Sequence, residues 1–199
     1  MAEAEYDERY TQYQLQRSWL RKFVRKAYLK RAARQLHGPS LDFGCGVGEL
    51  LRWLPPGSRG LEYNRATVDY CRANGLDVDH YDGFGDDWSL SGLSPQDGLK
   101  SMVVSHVLEH LDGPGAILRK LLAAAARLGI DRVLVIVPGK AGYRMDPTHR
   151  TFVDEGMVRE NLPAPWRAVD AFHFPVPLRA AGDVFVYNEL HMRLERDAG

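Results

Sequence analysis

The residues most able to do chemistry lie in one short stretch, Leu41-Asp42-Phe43-Gly44-Cys45-Gly46-Val47-Gly48-Glu49-Leu50-Leu51. An apolar strand runs into three glycines, which let a backbone turn tightly and approach a ligand closely. A dinucleotide fingerprint requires a third small residue five positions after Gly44, and Glu49 stands there instead. A carboxylate would repel a pyrophosphate, and no Gly-Lys-Ser/Thr follows to make a P-loop. The turn therefore fits a ligand that touches the backbone closely and carries no phosphate. Glu62 ends the next strand, 18 residues after Gly44. There it can accept hydrogen bonds from both hydroxyls of a ribose. Alone, such an acid reads as a solvated strand end; beside the glycine turn it reads as part of a nucleoside site. Asp82-Gly83-Phe84 ends a third strand. It is either a plain turn or a carboxylate and a ring that hold a base.

The elements that position these residues alternate in type. Leu41–Phe43, Gly60–Tyr63, Leu76–Tyr81, Ser101–Val104 and Arg132–Val137 read as strands. Helices are expected at Val47–Leu54, Ala66–Asn74 and Gly115–Leu128. Such alternation gives a doubly wound α/β, Rossmann-like parallel sheet with helices on both faces. The last third departs from it: one helix at Asp154–Leu162, then two strands, Trp166–Phe174 and Val184–Leu194, with no long helix between. An antiparallel pair closing the sheet explains that ending. Residues 1–38 read separately, as a basic helix and candidate lid ahead of a domain at 39–199. Its apolar stripe is Leu20, Phe23, Val24 and Ala27, with Arg31 intruding, and His37-Gly38-Pro39 stops it.

Composition excludes several classes. The 199 residues carry 26 Lys+Arg against 26 Asp+Glu, and 26% are charged, which is ordinary for a globular chain. Eight of the basic residues fall between Arg17 and Arg34, where no acid occurs. This helix is either a solvated face or a receiver for an anionic substrate. The two cysteines, Cys45 and Cys71, form no disulfide framework and no metal-ligand spacing, so no metal is expected and a reducing, cytoplasmic setting is. Apolar runs are too short for stable membrane insertion. The acidic, polar Met1–Tyr10 is not a signal peptide. No RNA-binding signature is present, so nucleic acid is not expected as a partner.

Three segments, taken in order, resemble the class I S-adenosylmethionine-dependent methyltransferases. Leu41–Leu51 is similar to the family's first motif, and Glu62 to its ribose-binding acid. Ser105-His106-Val107-Leu108-Glu109-His110-Leu111 resembles the segment after strand four in the branch that includes quinone O-methyltransferases, although that branch often has an acidic or apolar residue where His106 stands. Val137-Pro138-Gly139, Asp146-Pro147-Thr148-His149 and Phe185-Val186-Tyr187-Asn188-Glu189-Leu190 are similar to methyltransferases of glycan, lipid-linked or secondary-metabolite pathways. The resemblance implies seven strands, mostly parallel with the last antiparallel, and S-adenosyl-L-methionine as cofactor. It implies that Phe43, Gly44, Cys45 and Gly46 line the methionine and ribose side, with Asp42 beneath the amino-acid part. Glu62 would hold the ribose, Tyr63 would pack near the adenine, Gly83 and Phe84 would flank the base, and Ser105 and His106 would close over the cofactor.

Methyl transfer from a sulfonium asks the protein chiefly for alignment, with a base added when the acceptor is a hydroxyl. The catalytic candidates are His149, Tyr143 and His110. His149 follows Asp146 by three residues, so a carboxylate can orient it. The plain alternative is that Asp146-Pro147-Thr148-His149 makes a turn and starts a helix, and that His110 ties a helix to its neighbours. The expectation is methyl transfer to a small-molecule, glycan or lipid-linked acceptor, an anionic one included, with oxygen favoured. The alternative is a non-catalytic partner or sensor that binds S-adenosylmethionine. A nicotinamide-dependent oxidoreductase is disfavoured by Glu49. The acceptor's identity and the oligomeric state are not written in the chain.

Overall fold

A computed structural model of the chain describes residues 19–197 and, in the first helix, the side chains from Lys26 onward. Met1–Tyr10, Arg17 and the side chains of Leu20, Phe23 and Val24 therefore lie outside the described residues. Helix α1 (Trp19–Gln35) leads into β1 (Ser40–Phe43), β2 (Arg59–Glu62), α2 (Arg65–Ala73), β3 (Val78–His80) and β4 (Ser101–Ser105). Then follow α3 (Pro114–Arg127), β5 (Arg132–Pro138), the short helices α4 (Lys140–Met145) and α5 (Glu155–Glu160), β6 (Trp166–Phe174) and β7 (Glu189–Arg196). The seven strands order as β3-β2-β1-β4-β5-β7-β6. Only β7 runs antiparallel, to β5 on one side and β6 on the other. The expected doubly wound, Rossmann-like sheet with an antiparallel last strand is borne out.

Side chains alternate across the pleat and divide the core. On one face Met102, Val104, Val133, Val135 and Met192 pack under Leu118, Leu121 and Leu122 of α3. On the other, Val103, Leu134 and Ile136 meet Ala32 of α1 and Leu36 just past its end. A third cluster, Cys45, Leu51, Val68, Cys71 and Val78, lies beneath α2. The end of α1 is tied down by polar contacts. His37 reaches Asp131 at 2.6 Å, and the Arg132 guanidinium donates to the Gln35 carbonyl.

Several elements depart from expectation for local reasons. No α-helix forms at Val47–Leu54; turns run to Leu50, and a 3-10 helix covers Leu51–Trp53. Gly46 and Gly48 hold left-handed backbone (φ +53° and +72°), and with Pro55 ahead too few residues remain to nucleate a helix. Strand β7 starts at Glu189 rather than Val184, because Asn188 is spent on a buried turn: its side chain accepts from the Val176 amide, and its carbonyl from that of Gly139. Asp146-Pro147-Thr148 does make a turn, but no helix starts from it; the next begins at Glu155, capped by Asp154. Of the expected stripe on α1, only Ala27 has a described side chain. Ala27 is exposed, and Leu29, Ala32, Ala33 and Leu36 face the core. Arg31 neither bends nor ends the helix, since it sits outside with its guanidinium 4.3 Å over the Phe172 ring. No helix among the described residues is long and apolar enough to cross a membrane.

Leu134 is fully buried on the face that α1 covers. Leu134→Ala is expected to cost about 3 kcal/mol in urea unfolding, as a buried leucine truncated in a packed core does.

Candidate functional site

A cavity of about 410 Å³ opens at the carboxyl ends of β1, β2 and β4, where strand order reverses. Gly44 forms its floor with φ +73°, and a Cβ there would come within 2.4 Å of Val107 Cγ2. The amides of Gly44 and Cys45 both donate to the Leu61 carbonyl, at 2.8 and 3.1 Å, which folds the β1 turn onto β2. Glu62, at the end of β2, lines the cavity while almost wholly buried. Its Oε2 accepts from the Gly46 amide and its Oε1 from the Asn64 amide, each at 2.9 Å. Burial pushes its carboxyl above the ordinary range, against the pull of those N–H donors. Two aimed oxygens with lone pairs to spare can receive paired hydroxyls.

The opposite wall is aromatic. Phe84 is 71% exposed, and Tyr63 also lines the cavity. Trp88 supports Phe84 edge-on at 5.1 Å between centroids. Gly83 lets Trp88 in, since a Cβ there would meet the indole at 2.5 Å. Asp82-Gly83-Phe84 is thus a turn and a wall at once, because the Asp82 carboxylate accepts from the Phe84 amide at 3.0 Å. Exposed ring faces beside a held carboxylate fit a purine nucleoside, the expected cofactor's own chemistry.

Of the expected cofactor residues, Phe43, Gly44, Glu62, Tyr63, Gly83, Phe84 and His106 line this cavity. Asp42, Cys45, Gly46 and Ser105 do not. Gly46 acts through its amide on Glu62, Asp42 is buried in β1, and Ser105 closes β4. The Cys45 side chain packs in the small cluster beneath α2, where its contact with Cys71 and burial push the thiol far up. Leu61, Tyr81, Trp88, Val107, Leu111, Thr148 and Arg150 also line the cavity and escaped sequence reasoning. An aromatic residue a few positions after Gly83 was the signal for Trp88.

His106 holds left-handed backbone at φ +55°, a costly conformation for a residue other than glycine. Its Nδ1 meets Glu109 Oε1 and its Nε2 meets Glu189 Oε1, both at 3.0 Å. Burial disfavours its charge, but the two carboxylates outweigh that and push its pKa up to about 10. Burial likewise raises Glu189, and His106 and His191 more than offset it, holding the acid at about 2. His106 is therefore an imidazolium clamped between β7 and the segment after β4.

The far end of the cavity is lined by His110, Thr148 and Arg150. His149 sits behind His110 with ring centroids 4.7 Å apart, and Tyr143 stacks on His149 at 5.5 Å. The three catalytic candidates thus meet in one cluster, of which only His110 faces the cavity. Thr148 donates its hydroxyl to Asp146 Oδ1 at 2.6 Å, so it can only accept from His110 Nδ1, at 3.1 Å. Burial lowers the His110 pKa and keeps the ring neutral, with Nε2 as its lone pair. The described basic residues of α1 lie elsewhere. Lys30, Arg31 and Arg34, with Arg193 and one acid, Asp170, line a separate groove of about 480 Å³ against Phe172 and Phe174.

Comparison with known proteins agrees with this geometry. A family model described as a methyltransferase domain matches residues 12–154. Comparison with curated proteins gave no sequence match. Among solved structures the chain is similar to an S-adenosylmethionine-dependent methyltransferase from Archaeoglobus fulgidus, at 19% identity and TM-score 0.67, over 87% of this chain and 93% of that one. It is similar to a magnesium protoporphyrin IX methyltransferase from Synechocystis PCC 6803 with S-adenosylmethionine bound, at 14% identity and TM-score 0.58, over 86% and 76%. It is also similar to the cyclase SpnF, at 16% identity and TM-score 0.62, over 92% and 85%. These likenesses carry the fold; chemistry has to be argued from the site.

Glu189→Gln is expected to cost about 2 kcal/mol, less than the roughly 3–5 of a fully buried pair because His106 is 38% exposed. The depressed Glu189 pKa contributes above its ordinary 4.5 and is lost as pH falls through about 2. The raised His106 pKa contributes below its ordinary 6.5 and is lost as pH rises through about 10. Urea unfolding at a series of pH values should show the deficit largest between about 4.5 and 6.5, shrinking toward both extremes.

Proposed function

The chain belongs to the methyltransferase-domain family and is an S-adenosylmethionine-dependent methyltransferase, and from that premise we propose a small-molecule, glycan or lipid-linked acceptor methylated at oxygen. The observation that carries the reading is Glu62, a nearly buried carboxylate aimed by two backbone amides into a cavity walled by exposed rings. In this reading Glu62 holds the ribose hydroxyls, and Tyr63 and Phe84 flank the adenine with Gly83. Phe43 and Gly44 give the methionine side its surface, with Cys45 and Gly46 carrying the turn on behind it. Asp42 lies beneath the amino-acid part, and His106 closes that end, with Ser105 behind it at the end of β4. Bound there, the cofactor supplies an electrophilic methyl on a sulfonium.

The acceptor occupies the end at His110, Thr148 and Arg150. A hydroxyl keeps its proton near neutral pH, so an oxygen acceptor has to lose it at this end. Lone pairs gather there, on His110 Nε2 and in the cluster of His149 and Tyr143 behind it. Arg150 gives the cavity mouth a cation for an anionic acceptor, although it also pairs with Asp112 at 2.9 Å. Likeness of the Ser105–Leu111 segment to quinone O-methyltransferases supports oxygen over other acceptor atoms.

Calorimetric titration of the purified chain with S-adenosylmethionine, beside NAD and a Glu62→Ala variant, tests the cofactor half. Micromolar binding to the wild type, weakened about tenfold or more in the variant, is expected, with none for NAD; a charge-assisted hydrogen-bond pair is worth that much. Folded protein that ignores S-adenosylmethionine would sink the reading. For the acceptor half, His110→Ala should leave cofactor affinity within about twofold and lower turnover of a hydroxyl acceptor by about a hundredfold. Unchanged turnover would move the acceptor elsewhere.

A further inference from the structure

The cluster behind the acceptor end carries an inference that deepens the oxygen-methylation reading and rests on it. Glu109, His110 and His149 each offer one donor atom, and the three atoms lie within 4.8 Å of one another. Glu109 is fully buried; its Oε1 takes His106 Nδ1, and its Oε2 has no hydrogen-bond partner. A buried carboxylate oxygen left bare is costly, and a cation beside it would offset that cost.

Both histidines present their lone pairs for a definite reason. His149 donates its Nδ1 proton to the Tyr143 carbonyl at 2.8 Å, since a carbonyl can only accept. His110 donates its Nδ1 proton to Thr148, whose own proton is committed to Asp146. With Nδ1 spent as the donor, Nε2 is the ring atom that each has left to offer a ligand. His149 Nε2 stands 4.0 Å from Glu109 Oε1 and 3.9 Å from Asp146 Oδ2, both too long for a hydrogen bond. Lone pairs and a carboxylate gathered around a gap without an intervening proton define a cation site.

We infer that Glu109, His110 and His149 bind one divalent first-row transition-metal ion at the acceptor end of the cavity. Two imidazoles and one carboxylate suit ions such as Zn²⁺, Mn²⁺ or Fe²⁺, whereas Mg²⁺ and Ca²⁺ prefer all-oxygen sets. Every ligand already has the outer partner that such sites need: Tyr143 for His149, Thr148 with Asp146 for His110, and His106 for Glu109. Donors about 2.1 Å from an ion stand about 3 to 3.5 Å apart, so rotation of the imidazoles closes the site by about an ångström on binding. His110 lines the cavity, so an ion held by it would stand beside the acceptor. The ion's charge favours the ionised form of an acceptor hydroxyl, whose proton leaves to water. A C–O bond then forms to the methyl as the C–S bond breaks, and its electron pair stays on sulfur.

The test uses the untagged full chain after chelator treatment, titrated with Zn²⁺ by calorimetry and with Co²⁺ by visible absorption. One ion per chain is expected, with affinity falling at least thirtyfold in His149→Ala and about tenfold in Thr148→Val, which removes only an outer partner. S-adenosylmethionine affinity, measured in parallel, should stay within about twofold in both variants and so reports that they fold. A wild type that binds no ion, or variants that bind it equally, would overturn the site. Methylation of a hydroxyl acceptor at one rate with and without chelator would overturn the ion's role and leave oxygen methylation standing. A wild type that fails to bind S-adenosylmethionine would instead overturn the methyl-transfer reading beneath it.

Discussion

Strands β1 and β4 are neighbours whose outgoing chains must share one gap, and the close approach of Gly44 to Val107 in that gap organises the site. A side chain at position 44 would collide with Val107 as well as strain the backbone, so the β1 turn lies flat only as glycine. Lying flat, it delivers the Gly44 and Cys45 amides to Leu61 and the Gly46 amide to Glu62. The same turn therefore clears the floor of the cavity and aims the carboxylate at its edge. Burial holds that carboxyl above its ordinary range, and the amides that aim it pull the other way.

A second constraint joins the two halves of the sheet. His106 leaves β4 in left-handed backbone, and its amide bonds to the Ile136 carbonyl on β5 while its ring is clamped by Glu109 and Glu189. The strain is offset by two charge-assisted contacts, one of them to the antiparallel β7. Placing β7 between β5 and β6 is what brings Glu189 to the carboxyl ends of the parallel strands. The antiparallel ending is thus connected to the site as well as closing the sheet. Burial of His191 against Phe172 and Gln35 extends the same tie to α1.

The alternation of strands and helices was legible because the central strands β1, β4 and β5 are buried on both faces, and β4 and β5 read as nearly continuous apolar runs. The cofactor half was legible for a related reason: glycines and an acid at a strand end are local signals, all within 41–62. What escaped was set by distance in the chain. Val47–Leu54 has helical spacing, yet the left-handed glycines before it and Pro55 after it override propensity. Val184–Asn188 has strand-like composition, yet Asn188 is spent on a buried turn with Gly139 and Val176. Trp88, Arg150 and Glu189 reach the site from separate segments, and no spacing within one segment announces them. His110 and His149 were legible singly, but their contact across 4.7 Å was not.

Hydrogen-bond direction separates the two ends of the cavity. At the cofactor end the Glu62 oxygens are supplied with N–H donors, and ring faces complete the wall, so the surface is ready for hydroxyls and a base. At the acceptor end the sense is reversed. The Asp146 carboxylate takes the Thr148 proton, Thr148 takes the His110 Nδ1 proton, and the Tyr143 carbonyl takes that of His149. Protons are drawn outward along these bonds, and lone pairs accumulate on the inner nitrogens beside Glu109. A wall rich in lone pairs gains nothing from an alkyl group and favours a proton donor or a cation. The turn Asp146-Pro147-Thr148-His149, which starts no helix, thereby fixes the polarity of this end of the cavity.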